Sequence, residues 1–388
     1  MALFVLVAVV MQRVLAGVLI LHGALHLMGF AKAFGWAELP QLTQPISRAL
    51  GGLWLLAALA MFAAAAVSVF APPVFFVVGS AALVLSQVAI VSSWQDAKYG
   101  TLANVVLLLA VALGTATYGP GSLWSEYRAS VRDSVRPSAE AAIVHERDLA
   151  RLPDPVQRYL RVTGTVGKPR VRTFEARWRG RIRGGASEAW MPFVAEQVNT
   201  TGGSATRLFF MSATMKHLPV SIFHRFIGQN ATFRVRLLSA FTMVDAKGPE
   251  MNRSETVTIF NDACLLAPST LLDPSVTWEP DLDPRRARAH YTRGSETVTA
   301  ELRFDEQGYL EDFVSDDRSA ASADGRSFTR MRWSTPVRDH HDFDGRRVPT
   351  HGEARWEALD DAPRQAKEAA FTYLELDLET IAFDRTAR

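Results

Sequence analysis

The sequence predicts an α-helical membrane bundle of four spans followed by an α+β soluble domain, a large twisted antiparallel sheet with a covering helix. Three observations carry this. Within residues 1–120 only Arg13, Lys32, Arg48 and Lys98 are basic and only Glu38 and Asp96 acidic. Four apolar runs fill that region, each approaching the ~20 residues that cross a bilayer core. From Val171 onward the apolar residues recur with period two, the signature of half-buried strands.

The apolar runs cover residues 12–34 (with 1–10 as an extension), 46–70, 74–93 and 101–118. Short links join them, "APP" at 71–73 and "WQDAKYG" at 94–100. A cleaved signal peptide is not expected, because no basic residue precedes the first apolar run. Small residues at Gly17, Gly51, Gly52, Gly79, Ala81 and the alanines at 63–66 allow close helix packing.

Four spans put both ends on one side. Arg13, Arg128, Arg132 and Arg136 fall on that side, and Lys32, Arg48 and Lys98 on the other. The basic excess predicts a cytoplasmic C-terminal part in a bacterial inner membrane. The stretch "LHGALHLMGF" at 21–30 sets His22 and His26 one turn apart on one helix face. Ionisable groups inside spans are costly and mark function. One reading joins His22, His26, Glu38, Asp96 and Lys98 in a membrane polar site, with His26 and Asp96 as its closest pair. The other makes the histidines interhelical hydrogen-bonding groups and the loop charges a solvated turn. Two histidines alone do not make a metal centre, which takes three or four ligands.

Residues 121–150 read as an amphipathic linker. Leu123, Trp124, Tyr127 and Val131 at helical spacing suit a helix on the membrane surface. A second helix is expected over 138–152, and "LPDPVQRYL" at 152–160 starts a third with Pro155 in its first turn.

The β-rich domain is placed at 151–388. "FEARWRGRI" sets Phe174, Ala176 and Trp178 on one face, and "TVTAELRF" alternates Val298, Ala300, Leu302 and Phe304. Turn pairs recur at Gly184 and Gly185, Gly202 and Gly203, Gln307 and Gly308, Asp324 and Gly325, and Asp344 and Gly345. Between Arg285 and Phe383 they predict a meander of about six strands. Residues 252–272 interrupt the strands with helical spacing (Val257, Phe260, Ala263, Cys264, Ala267) after a capping-box-like Asn252 and Glu255. The β-branched run at 256–259 opposes a helix there. Such a helix over a curved sheet leaves room for an apolar cavity. Its candidate ligand-binding residues are Trp178, Phe193, Phe210, Met215, Phe241, Phe260 and Trp278, with Phe209, Met211 and Met243 beside them. An ordinary packed core is the competing reading.

Chemistry is sparse. The nucleophile elbow, the phosphate-binding loop, the dinucleotide fingerprint and the paired-histidine zinc motif are absent from the sequence. In "DHHDFDG" at 339–345 the tight turn at Asp344 and Gly345 favours a hairpin over a metal site, and "SDDR" at 315–318 reads as a solvated strand end. Glu196, Asp245, Glu255 and Asp262 adjoin apolar segments, so each is a functional carboxylate or half of a structural ion pair. Cys264, the only cysteine, has no activating neighbour and forms no intrachain disulfide. The balance of 42 basic against 40 acidic residues argues against nucleic acid.

Two resemblances follow. "RVLAGVLILHGALHLMGFAKA" at 13–33 and "WQDAKYGTLANVVLLL" at 94–109 make the N-terminal part resemble the DoxX-like four-helix bacterial membrane proteins. That resemblance implies quinone-dependent membrane oxidation and redox complexes with partner proteins, without transferring catalytic residues. "LPDPVQRYL", "WMPFVAEQ" at 190–197, "NDACLLAPSTLLDPSVTWE" at 261–279, "FDEQGYLEDFVSDDR" at 304–318 and "RWSTPVRDHHDFDGRRVPTHGEARW" at 332–356 make the C-terminal part resemble an uncharacterised bacterial domain family. Its layout is similar to the lipoprotein-carrier half-barrels. The expected function is a membrane-anchored protein binding a lipid or other apolar ligand in its β-rich domain, with no cofactor. The alternative is a quinone-linked redox module whose soluble domain docks a membrane redox partner.

Overall fold

The computed structural model describes residues 2–135, 141–202, 205–280, 283–322, 324–359 and 370–384, and for 2–9 the backbone alone. Two compact units divide the chain: Met1–Ser125 with the turn Leu238–Ala240, and the rest from Glu126 onward.

The first unit contains α1 (Ala2–Ala33), α2 (Arg48–Phe70), α3 (Phe75–Ser92), the short α4 (Trp94–Ala97) and α5 (Gly100–Tyr118). Among the described residues, four helical stretches are long and apolar enough to cross a membrane. Ser47 starts α2 by accepting the Leu50 N–H at 3.2 Å. Two glycines set the spacing of α1 and α2: a Cβ on Gly29 would collide with the Trp54 indole, and one on Gly51 with Ala33. Either substitution overpacks the contact, at about 1–3 kcal/mol. Ala57, Ala58, Met61, Ala64, Ala82 and Ala89 are fully buried, whereas Leu21, Leu102 and Leu109 face outward. That inversion suits a bundle whose solvent is lipid.

The second unit opens with α6 (Leu123–Ser134), most of which belongs to it, and α7 (Asp154–Val162). Six strands follow: β1 (Thr173–Ile182), β2 (Met191–Thr200), β3 (Thr206–Met215), β4 (Leu218–Ile227), β5 (Asn230–Leu237) and β6 (Phe241–Lys247). Then come α8 (Pro249–Leu266), β7 (Val276–Trp278), β8 (Arg286–Arg293), β9 (Glu296–Phe304) and β10 (Leu310–Ala321). The last four are β11 (Phe328–Ser334), β12 (Val337–Phe343), β13 (Arg346–Glu357) and β14 (Phe371–Phe383). They form one curled antiparallel half-barrel in the order β6-β5-β4-β3-β2-β1-β14-β13-β11-β10-β9-β8-β7, with β12 on β13. β1 pairs with β14, Phe174 opposite Phe383, so two meanders join at the middle of the sheet.

The period-two reading holds at its plainest in β9, where Val298, Ala300, Leu302 and Phe304 are buried in one core with Phe174, Ala176 and Trp178. α8 packs on this inner face against β5, β6, β9, β10 and β13.

Five expectations need correction. The helix begins at Pro249 after Gly248 (φ 102°), and Asn252 lies inside it, accepting the Ala231 N–H at 2.8 Å rather than capping. Residues Pro268–Leu272 are a separate 3-10 turn. From Arg286 to Phe383 the described residues form seven strands, because β12 forms its own hairpin with β13. The expected helix over 138–152 is replaced, from 141 on, by an extended segment bridging Ile143 to Pro169 and a 3-10 turn Glu146–Leu149, where Asp148 accepts the His145 N–H at 2.8 Å; residues 136–140 lie outside the described residues. Finally, α6 turns Tyr127 onto the sheet rather than a membrane surface. Its ring sits 5.6 Å from Phe210 and 5.7 Å from Phe223, and Glu126 binds Arg234 at 2.6 Å.

Candidate functional site

Between α8 and the inner face of the sheet lies a cavity of about 100 Å³. Strand alternation decides which side chains reach it. On β3, Arg207, Phe209 and Met211 point inward and line it, while Phe210 points to the opposite face. β1 adds Trp178 and Ile182, β13 adds Pro349 and Ala354, and β14 adds Tyr373, Leu374 and Leu376. α8 supplies Leu265 and Leu266 as an apolar roof, with Thr258, Asn261 and Asp262 beside them.

One end of the cavity is strongly polar. Glu255, Thr258 and Asp262 recur at helical spacing on α8, and Glu255 is fully buried. Arg207 donates from Nε to Asp262 Oδ2 at 2.7 Å and from an Nη to Glu255 at 3.4 Å. Gln197 and Asn199 donate to the same Asp262 oxygen at 2.6 and 3.0 Å, and Trp178 Nε1 donates to Gln197 at 2.9 Å. His224 Nδ1 lies 3.3 Å and Arg318 3.7 Å from Glu255 Oε1. Arg318 stacks over Trp333 at 4.3 Å and donates to the Tyr373 hydroxyl at 2.9 Å.

Two guanidinium groups therefore balance two carboxylates. Burial alone would raise the Glu255 carboxyl, but His224, Arg207 and Arg318 outweigh it and hold Glu255 well below the usual carboxylate range. Burial lowers the His224 imidazole, and this exceeds the raising effect of Glu255. Removing one partner of such a buried pair strands a charge, at a cost of about 3–5 kcal/mol.

The apolar candidates scatter. Trp178 lines this cavity, and Phe260 lines a smaller one of about 20 Å³ while stacking on Tyr291 at 4.9 Å. Phe193 is buried in the main core, Met215 and Trp278 are half-buried against it, and Phe241 is 63% exposed. Phe209 and Met211 line the cavity, whereas Met243 is exposed. Sequence reasoning flagged Glu255 and Asp262 but missed Arg207, His224 and Arg318. The available signal was Arg207, a charge at the head of the apolar run "RLFFM". "SDDR" is not a solvated end: Arg318 is buried, and Asp317 accepts from Arg253 and from the Thr299 N–H, both at 2.7 Å. Of the other flagged carboxylates, Glu196 lies 3.8 Å from Arg177 and Asp245 3.4 Å from Lys247. Cys264 is buried, and burial pushes its thiol up. In "DHHDFDG", the His340 ring packs on Tyr309 at 4.5 Å.

Residues 142–367 match the model of a family of unknown function, DUF6544. The chain belongs to the DUF6544 family. No curated protein matches it. Two crystal structures resemble it at low similarity. One is an outer membrane lipoprotein-sorting protein domain from Vibrio parahaemolyticus, with 7% identity and a TM-score of 0.31, over 56% of this chain and 87% of that one. The other is a DUF1329 family protein from Desulfovibrio piger, with 8% identity and a TM-score of 0.34, over 64% of this chain and 96% of that one.

The helical unit lies outside the DUF6544 match and holds its own polar cluster. His22 Nε2 lies 3.1 Å from Ser86 Oγ and 3.2 Å from Asn104 Oδ1, and His26 Nε2 lies 2.8 Å from the same Ser86. Ser86 donates to Asn104 at 2.9 Å, tying α1, α3 and α5 together. His26 Nδ1 and Trp54 Nε1 are buried without a hydrogen-bond partner among the described residues, their rings 5.1 Å apart. Asp96 is not among the partners of His26. It accepts from Thr43 Oγ1 at 2.7 Å and the Gln44 N–H at 2.8 Å, and the Gln44 bond is the main reason its carboxyl sits below the ordinary range. Lys32 donates to the carbonyls of Leu42 and Gln44, so the loop after α1 absorbs these charges. Glu38 and Lys98 are exposed.

Proposed function

We propose that this is a membrane-anchored binding protein whose DUF6544 domain holds a lipid or other apolar molecule beneath α8. The cavity carries the reading: Trp178, Phe209, Met211, Leu265, Leu374 and Leu376 give it apolar walls, beside polar lining from the Arg207–Asp262 network and from His351 and Glu353. Its volume of about 100 Å³ exceeds the need of a single water several-fold. Each methylene moved there from water contributes about 0.8 kcal/mol. The four apolar helices supply the anchor. The basic residues Arg128 and Arg132 after the last span support a cytoplasmic domain at a bacterial inner membrane.

The test is mass spectrometry of lipids co-purifying with the full chain in mild detergent, with titration by a fluorescent fatty acid. Leu376→Trp fills the cavity and should weaken the probe about tenfold or more, the loss of one to two buried methylenes' worth of contact and the site itself. A folded protein that carries no lipid and takes up no probe overturns the reading.

A second reading, the quinone-linked redox module, draws on the DoxX-like resemblance and on one observation, the unpartnered His26 Nδ1 and Trp54 Nε1. A hydrogen-bonding ligand would satisfy both groups in an apolar medium. Saturable quinone titration of the full chain, lost in His26→Ala with helicity intact, would carry it. Loss of thermal stability without any quinone titration would make the cluster an interhelical tie.

A further inference from the structure

We infer that one end of the half-barrel, formed by the tips of three hairpins, inserts into the surface of a bilayer. The register puts these tips together. Ile182 pairs with Met191, Met215 with Leu218, and Leu237 with Phe241. Phe193 opposite Ala213 and Val220 opposite Leu237 place the turns 183–190 and 216–217 and the start of β6 at the same end of the sheet.

That end is unusually apolar for an exposed edge. Among the described residues from 126 on, the exposed large hydrophobic side chains are Ile143, Val194, Leu218, Phe241 and Met243. Three of the five, Leu218 (42%), Phe241 (63%) and Met243 (50%), belong to these two neighbouring hairpins. Trp190 closes the third tip, with the guanidinium groups of Arg181 and Arg183 stacked on it at 4.6 and 4.5 Å. Aromatic rings flanked by cations are the usual composition of a membrane interface.

Charge points the same way. The 183–190 and 216–217 turns hold Arg183 and Lys216 against one carboxylate, Glu188. Exposed apolar side chains together with a basic excess fit an anionic lipid surface, which takes up both. Backbone conformation adds a separate observation. Among the described non-glycine residues with positive φ, Asp339, Asp344, Asp384 and His217 are of a type that tolerates it, whereas Lys216 in the β3–β4 turn is not. The two-residue 216–217 turn thus keeps a cationic side chain, Lys216, where glycine or asparagine is the low-energy choice. Ile182 and Leu374, which line the cavity, pair with each other at this same end, so the rim lies at the cavity's side of the sheet.

The inference rests on the helices holding the domain at a bilayer, and not on what the cavity binds. The experiment uses the full chain in nanodiscs, with an environment-sensitive fluorophore attached in turn to Leu218→Cys, Phe241→Cys and, on the opposite β4–β5 turn, Gln229→Cys. Cys264 is fully buried and is not labelled. In discs containing phosphatidylglycerol, nitroxide lipids should quench the probes at 218 and 241 about threefold more than the probe at 229, and iodide should do the reverse. Quenching by lipid should weaken in pure phosphatidylcholine. Iodide access at 218 and 241 equal to that at 229 overturns the inference. So does shielding from both quenchers, which would place protein over the tips. Leu376→Trp should leave the pattern unchanged, which separates failure here from failure of the cavity reading.

Discussion

Asp312 gives the half-barrel a pH response opposite to that of most carboxylates. Burial pushes its carboxyl up to about 6, against the lowering effects of Arg303 at 3.7 Å and the Thr335 N–H at 3.0 Å. The unfolded chain returns it to ~3.9. The folded state therefore binds the extra proton between those values. The stability it contributes is fully present below pH ~4 and is lost as pH rises through about 6, to the extent of about 2–3 kcal/mol. Asp312→Asn keeps an acceptor for Thr335 and removes the titration. Thermal unfolding should find variant and parent alike near pH 4, and the variant the more stable near pH 7.5. A constant difference between the two across that range would refute the assignment. The same scale shows why the polar network was only half legible. Glu255 and Asp262 stand out as carboxylates in an apolar segment, but Arg318 sits in a polar run. An irregularity of β10 between Ser315 and Arg318 breaks the alternation there and turns Arg318 inward.

At the scale of elements, the strands were legible wherever one face is buried, because period two survives any tertiary context. α8 was legible only in part. Its residues Thr256, Val257, Thr258 and Ile259 have poor helix propensity, yet all four are buried. Packing against five strands overrides a few tenths of a kcal/mol per residue. The start was missed because Gly248 and Pro249, not Asn252, define it: the first takes a backbone angle open to glycine, and the second cannot continue a strand. The histidines of α1 show the converse limit. Spacing put His22 and His26 on one face, but only the assembled bundle reveals Ser86 and Asn104 opposite them.

At the scale of the molecule, the division into a nearly charge-free helical part and a polar β-rich part could be read from residue counts alone. Orientation is a separate matter and carries its own prediction. A periplasm-dependent alkaline phosphatase fused after residue 388 should be inactive, and a cytoplasm-dependent fluorescent protein at the same place bright. The opposite pair of results would turn the protein over in the membrane. What no local pattern could disclose is the pairing of β1 with β14, because hydrophobic alternation says which face is buried and nothing about which distant strand lies alongside.

That pairing has a consequence for how the protein is made. A chain grows from its N-terminus, so β1–β6 can form their meander while β14 is still unsynthesised. Throughout that interval β1 presents an unsatisfied row of N–H and C=O groups, which in the finished sheet are taken up by residues 371–383. A strand translated after all the others becomes the keystone of the arch, and a ribosome that stalls before it releases two half-sheets, each with an open seam.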